Sequence, residues 1–283
     1  MIIYKKYDQE QLDLQYNNRF HVPDFNTHLE QWECLSRLAE KKYRVVKDIP
    51  YGNGSRECMD VFPSSGKDSK TLVFIHGGYW QKFDKSSFHF IAGAFAGYGI
   101  TTVLINYPLV PDVNIDMVVE SCRKAVDWVF LNIDQWNGDP NQIYIAGHSA
   151  GAHLAAMLMT NKKTQNDQTF IKGVCAISGL FNLIPIQLSN INEVLRMEKE
   201  TAIRNSPVLK DPLEFCPLLV AVGAEETTEF KDQSRELNNN WKNKTNSIEL
   251  LEIPGLNHFS ILDSIDDPNS LLHLSICKMM MIK

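Results

Sequence analysis

Gly147-His148-Ser149-Ala150-Gly151 carries the strongest chemical signal in the chain. A serine hydroxyl is a weak nucleophile until a base accepts its proton, so it must project from the backbone toward that base. The G-x-S-x-G spacing predicts a tight strand-to-helix turn that does this. The turn crowds the positions two before and two after the serine, where only small residues fit. The flanks agree, with QIYIAGH reading as a strand and AGAHLAAMLM as a helix. Otherwise the glycines merely soften a turn and Ser149 caps the helix. Upstream, His76-Gly77-Gly78-Tyr79-Trp80 follows the apolar run TLVFI. Glycines there let backbone N–H groups approach a developing alkoxide, and the expected donors are Gly77, Gly78 and Ala150. His76 reads as a brace for this loop.

The base should come last in chain order, after the final strand. His258, in EIPGLNHFSIL, stands there. His21, His28 and His89 precede the turn, His148 fills its variable position, His153 lies on the following helix and His273 lies in a C-terminal helix. The acid should fall between LLVAVG and His258. Glu225, Glu226, Glu229 and Asp232 are the candidates, with Glu226 preferred and Glu225 its main rival. Its task is to hold the imidazole tautomer and stabilise the imidazolium. Tyr79 and Trp80 flank the donor loop and could stack on an aryl substrate, although Trp80 equally suits a packing role beneath the loop. Phe181 is open in the same way between pocket wall and core.

These groups need a rigid frame. The first 42 residues look helical, with Leu12, Leu14 and Tyr16 in one stretch and Leu29, Trp32, Leu35 and Leu38 at three-residue steps in another. YRVVKDIPYG and RECMDVFP read as antiparallel strands joined by Gly-Asn-Gly. The apolar runs TLVFIH, TTVLINY, QIYIAGH, GVCAIS, LLVAVG and IELLEI then alternate with helical stretches. Such runs belong to a mostly parallel sheet covered by helices on both faces, so the expected class is α/β, of the α/β-hydrolase kind. The Leu- and Ile-rich stretch 179–212 breaks the alternation and reads as a small helical cap inserted in one domain spanning 1–283. The polar run 238–247 reads as a surface loop.

Composition narrows the class. The 283 residues are 44% hydrophobic and 22% charged, with a net charge of -6 and no basic run beyond short pairs. That balance points away from nucleic acid or an anionic membrane as partner. The start turns polar within a few residues, and six scattered cysteines form no CxxC pair, so the expectation is a cytoplasmic protein with mostly buried thiols. The sequons at Asn53 and Asn243 read as chance matches. The cysteine spacing suggests no zinc site or other metal, and the expected partners are a small-molecule substrate and, at most, a second copy of the chain.

Taken together, HGGYW, NYPLVP (Asn106 to Pro111), GHSAGAH, RNSP (Arg204 to Pro207), LNHF and the N-terminal QYNNR (Gln15 to Arg19) resemble the arylformamidase (kynurenine formamidase) group of the HGG-type esterases and lipases. HGGYW discriminates best, because general esterases of the class more often carry a third glycine. The resemblance implies a cofactor-free hydrolase of N-formyl aryl amides, often with side activity on aryl esters. It implies Ser149 as nucleophile, His258 as base and an acid at the position of Glu226, where the family usually has Asp. A short-chain carboxylesterase is the alternative, and a non-catalytic receptor on the same fold is a remote one.

Overall fold

The computed structural model describes residues 1–160 and 170–282. Among them, eight strands form one sheet in the order β1-β2-β4-β3-β5-β6-β7-β8. They are β1 (Val46–Pro50), β2 (Cys58–Phe62), β3 (Ser69–Ile75), β4 (Thr101–Ile105), β5 (Gly138–His148), β6 (Ile171–Ile177), β7 (Pro217–Gly223) and β8 (Ser247–Ile253). Strand β2 pairs antiparallel with β1 and β4, and the remaining pairs are parallel. This is the α/β-hydrolase fold, with each apolar run of the sequence on its own strand.

The sheet separates two cores. Along β3, Val73 and Ile75 face one and Leu72 and Phe74 the other, as the two-residue period of a strand requires. Both faces are therefore apolar on the central strands, while the edge strands β1 and β8 are half exposed. Helices Ile115–Asn132 and Ala150–Met159 cover one face; His89–Ala96 and Leu271–Met279 cover the other. Among the described residues, no helix is long and apolar enough to cross a membrane.

Strand β3 lies between β4 and β5, so the chain changes winding direction there. In open α/β sheets such a switch point leaves a crevice beyond the carboxyl ends of the strands, where ligands bind. Register sharpens the consequence. Ile75 pairs with Gly147, which brings His76-Gly77 out beside His148-Ser149. His148 pairs with Ile177 and Ile177 with Ala221, so Ser178 and the loop after Gly223 emerge next in line.

The N-terminal segment is helical at Gln9–Gln15, Asn18–His21 and Phe25–Lys42. In the last of these the buried face is Trp32, Ser36 and Ala39, whereas Leu38 is exposed. Three-residue steps account for this difference from expectation. Each falls 60° short of a full turn, so by Leu38 the row has rotated away from the core. The run 238–247 also differs in part from the expected loop, because helix Thr228–Trp241 continues through its first four residues. Trp241 is fully buried and donates its indole N–H to the Lys210 carbonyl at 2.9 Å, which holds that last turn.

Within 179–212, short helices at Ile184–Leu188, Asn192–Leu195 and Lys199–Arg204 lie over the sheet end. Leu183, Ile186 and Leu195 are buried there, as is Phe181. Four of the six cysteines are buried, Cys58 is partly so and Cys34 is exposed; all six are free thiols.

Candidate active site

Ser149 sits between β5 and helix Ala150–Met159 with φ 56° and ψ -119°, a conformation that L-residues rarely adopt. The flanking glycines explain how the turn closes. A β-carbon on Gly147 would lie 2.2 Å from the Gly151 carbonyl oxygen, and one on Gly151 would lie 2.0 Å from that of Ile75. The Ser149 N–H donates to the Ile177 carbonyl at 2.8 Å, which pins the elbow to β6. Ala150 opens the helix, where the first N–H groups have no partner within the helix.

The Gly77-Gly78 loop backs directly onto this elbow. A β-carbon at Gly77 would meet Ser149 Cβ at 3.0 Å and the His148 carbonyl oxygen at 2.9 Å. Gly78, Tyr79 and Trp80 all have positive φ, so the chain doubles back tightly after β3. The loop carbonyls are already engaged. That of Gly77 lies 2.8 Å from His76 Nδ1, and that of Gly78 accepts from the Gln81 and Lys82 N–H groups at 3.0 and 3.2 Å. His76 is buried against the Tyr107 ring at 4.4 Å and braces the loop.

His258 follows β8 and Glu226 follows β7, and the structure brings them together. His258 Nδ1 lies 2.7 Å from Glu226 Oε2. Glu226 Oε1 accepts from Ser178 Oγ at 2.5 Å and from the Gly223 N–H at 2.8 Å. With Glu226 ionised, Nδ1 carries the ring proton and Nε2 keeps its lone pair. Glu225 is exposed, while Glu229 and Asp232 engage Lys5 instead.

Two further residues hold this pair and escaped sequence reasoning. Ser178 is one. His148 is the other, since its Nε2 lies 2.9 Å from the His258 carbonyl and so must carry a proton to donate. The only signals available were position, one directly after a strand and one inside the elbow.

Ser149, His258, Gly77, Gly78 and Tyr79 share a cavity of about 360 Å³. Trp80 does not. It is fully buried, edge-on to His153 at 5.1 Å, because the positive φ at Tyr79 and Trp80 turns the indole inward. Expected as a substrate-binding residue or a packing residue, Trp80 is a packing residue. Phe181 likewise lies in the core rather than in the cavity wall. The aromatic wall comes from Trp32, Phe83, Phe88 and Phe259, and the N-terminal residues 16–19 close the other side. Tyr79 lines the cavity and donates its hydroxyl to the Tyr16 carbonyl at 2.7 Å, tying that segment to the donor loop. Among the described residues, no group of three or more His, Cys, Asp or Glu side chains could hold a metal ion.

Burial sets the acid response of the region. It pushes His76 and His153 down to about 4 and His148 well below its ordinary value. Unfolded, the same rings protonate near pH 6.5. The folded values are the lower ones, so nothing is lost above pH 7, and stability falls as pH drops from about 6.5 toward 4. Asp127, raised to about 6 by burial, works in the opposite sense, as do Glu229 and Asp266, which burial also raises. Asp84, lowered to about 2, acts only below about pH 4. The urea midpoint is expected to drop steadily between pH 7 and pH 5. A flat midpoint would mean that these rings are not held neutral.

Comparison with known proteins completes the description. A family model described as BD-FAE matches residues 59–215, more than half of the chain, and includes both the HGGYW loop and the elbow. The kynurenine formamidase of Danio rerio is 31% identical over 98% of each chain. This chain belongs to the kynurenine formamidase family. The Salmo salar kynurenine formamidase is also 31% identical, over 94% of this chain and 92% of its own. Among solved structures, a Silicibacter protein provisionally described as a thioesterase superposes with a TM-score of 0.84 at 29% identity, covering 93% of this chain and 97% of that one. The chain is thus a hydrolase by family as well as by fold. In this kynurenine formamidase-family member the two oxygens of Glu226 are divided: Ser178 and the Gly223 N–H hold one and leave the other to His258.

Proposed function

We propose that this chain cleaves an aryl formamide of the N-formylkynurenine type through a formyl-enzyme on Ser149. The observation that carries the reading is the 2.7 Å contact between His258 Nδ1 and Glu226 Oε2, in a ring that opens onto the same cavity as Ser149. His258 Nε2 takes the Ser149 proton as Oγ attacks the formyl carbon. The carbonyl π pair moves onto oxygen, where the N–H groups of Gly77, Gly78 and Ala150 receive it. Collapse breaks the C–N bond, and His258 hands its proton to the departing aryl amine. Water, deprotonated by the same ring, then attacks the formyl ester; formate leaves and Oγ recovers its proton. The four-aromatic wall supplies the apolar surface that an aryl group needs. Such a reaction would place the chain in tryptophan catabolism, and the free buried thiols suit a cytoplasmic setting.

A second reading, a short-chain carboxylesterase, is favoured by Glu in place of the Asp that the resemblance implies. Labelling with an organophosphorus fluoride, mapped by mass spectrometry, is expected to mark Ser149. Turnover of N-formylkynurenine should exceed that of a short-chain aryl ester; the reverse order would favour the second reading. An adduct elsewhere, or none on folded protein, would remove both.

Gly77→Ala tests the donor loop. Its new methyl would press on Ser149 Cβ at 3.0 Å and His148 oxygen at 2.9 Å, displacing the loop from the elbow. The expected result is a loss of about 10²–10³ in kcat, the usual consequence of removing one oxyanion donor. Steady-state kinetics would show it; unchanged kcat would move the donors elsewhere.

A further inference from the structure

His258 stands on a turn with unequal support. The strand before it, β8, is the half-exposed edge of the sheet, so a neighbouring strand holds it from one side only. The turn itself is stiff. The Asn257 side chain accepts from the N–H groups of Phe259 and Ser260 at 2.9 Å each, and Ser260 Oγ accepts from the Asn257 N–H at 2.8 Å. These reciprocal bonds, similar to those of a capping box, tie residues 257–260 to helix Ser260–Asp263. Whatever fixes Asp263 therefore fixes the backbone that carries the imidazole.

Asp263 is fixed from the N-terminal helix Phe25–Lys42. The Trp32 indole N–H donates to its Oδ1 at 2.5 Å, and His28 Nδ1 lies 2.5 Å from its Oδ2. Each carboxylate oxygen thus has one partner, in charge-assisted contacts of the strong kind. The same helix face grips Phe259, next to the base. His28 stacks on that ring at 6.0 Å, with Phe25 at 6.0 Å and Trp32 at 6.1 Å. Phe25, His28 and Trp32 follow each other at steps of three and four, the spacing that puts side chains on one helix face. Trp32 also meets the His148 ring at 6.4 Å, and it is His148 Nε2 that lies 2.9 Å from the His258 carbonyl. The helix does not need Asp263 for its own docking. Ser36 Oγ donates to the Ser87 carbonyl at 3.0 Å and accepts from the Phe90 N–H at 3.1 Å, and Glu40 Oε1 lies 2.7 Å from His89 Nδ1. What depends on Asp263 is the turn.

We infer that Asp263 is a positioning residue for the catalytic base: it bolts the turn that carries His258 to the N-terminal helix through Trp32 and His28. The inference rests on the hydrolase reading above and deepens it, because it names what holds the imidazole on the serine and gives the N-terminal helix a part in the reaction. Without the bolt, His258 keeps Glu226 as its partner but loses its fixed distance from Ser149 Oγ. Proton transfer needs that oxygen within hydrogen-bond reach of the ring.

The test uses the full chain and 4-nitrophenyl acetate, with an organophosphorus fluoride reacted to completion to count competent Ser149, so that kcat is expressed per labelled serine. Asp263→Ala should lower that kcat by about 10- to 100-fold, the scale of a misplacement approaching about 1 Å, and change KM less. Trp32→Phe, which keeps a ring and removes the indole donor, should lower it in the same direction. Asp263→Asn keeps an acceptor for the indole and should recover most of the loss. A merely structural contact would reduce the melting temperature or the labelled fraction and leave kcat per labelled serine at the wild-type value. That result in Asp263→Ala, or an Asp263→Asn no better than Asp263→Ala, would overturn the positioning role while leaving the hydrolase reading intact. If wild type neither labels nor turns over, that reading fails separately. The ring C–H signals of His258 in NMR spectra then decide the positioning alone. Signals displaced or broadened in Asp263→Ala support it, and signals identical to wild type refute it.

Discussion

Replacing Ser149 by alanine is expected to lower kcat/KM by about 10⁴–10⁶-fold, the scale seen when a serine nucleophile is removed from a hydrolase. The fold should survive, because the elbow is held by backbone groups: the Ser149 N–H still reaches the Ile177 carbonyl, and the Ser149 carbonyl still accepts from the Ala152 N–H at 3.0 Å. Ser149→Gly sharpens the test. A residue at φ 56° and ψ -119° stores strain, typically about 1–3 kcal/mol, which glycine does not feel. The glycine variant should therefore be as inactive as the alanine variant yet melt at a higher temperature. Alanine keeps its Cβ and should gain nothing. Kinetics on an aryl ester and a thermal melt measure both effects, and comparable turnover by Ser149→Ala would place the nucleophile elsewhere.

The second large effect is expected at Glu226. Glu226→Gln keeps the shape and removes the charge, so the ring loses its tautomer preference and the forming imidazolium loses its counter-ion. A fall of about 10³–10⁴ in kcat is expected. Glu226→Asp should keep more activity. The shortened side chain must give up either His258 at 2.7 Å or its own supports, Ser178 at 2.5 Å and the Gly223 N–H at 2.8 Å. Glu225→Gln should behave as wild type, because that side chain is exposed. If Glu225→Gln proved the damaging change, the pairing of His258 with Glu226 would have no catalytic meaning. Ser178→Ala belongs to the same series with a smaller loss, since it removes one of two hydrogen bonds that position the acid.

How much could be read in advance follows from the reach of each signal. The elbow was legible because a local steric constraint writes itself as glycines at fixed spacing: Gly147 and Gly151 are small because each faces backbone within about 2 Å. The central strands were legible because strands buried on both faces become continuous apolar runs, and β1 and β2 because a Gly-Asn-Gly turn separates them. The position of His258 followed from chain order alone. Trp80 was not legible. Nothing in HGGYW says which way an indole turns, and the answer lies in two positive φ angles and a histidine on helix Ala150–Met159.

Glu226 against Glu225 shows the boundary most clearly. The two are adjacent and chemically identical, and both fall within three residues of the end of β7. Sequence could bring the choice to that pair and lean one way. Only the β7–β8 register and the return of the chain after β8 decide which carboxylate meets an imidazole 32 positions later. The cavity wall is similar, since Asn18, Arg19 and Trp32 are near neighbours in the chain yet more than a hundred residues from the elbow they face. Local sterics and periodic burial act over a few residues, so sequence alone determined the strands, the elbow and the reaction class. Contacts across long chain separations depend on how every intervening element packs, so the carboxylate that meets His258 and the aromatic wall became visible only in the tertiary structure.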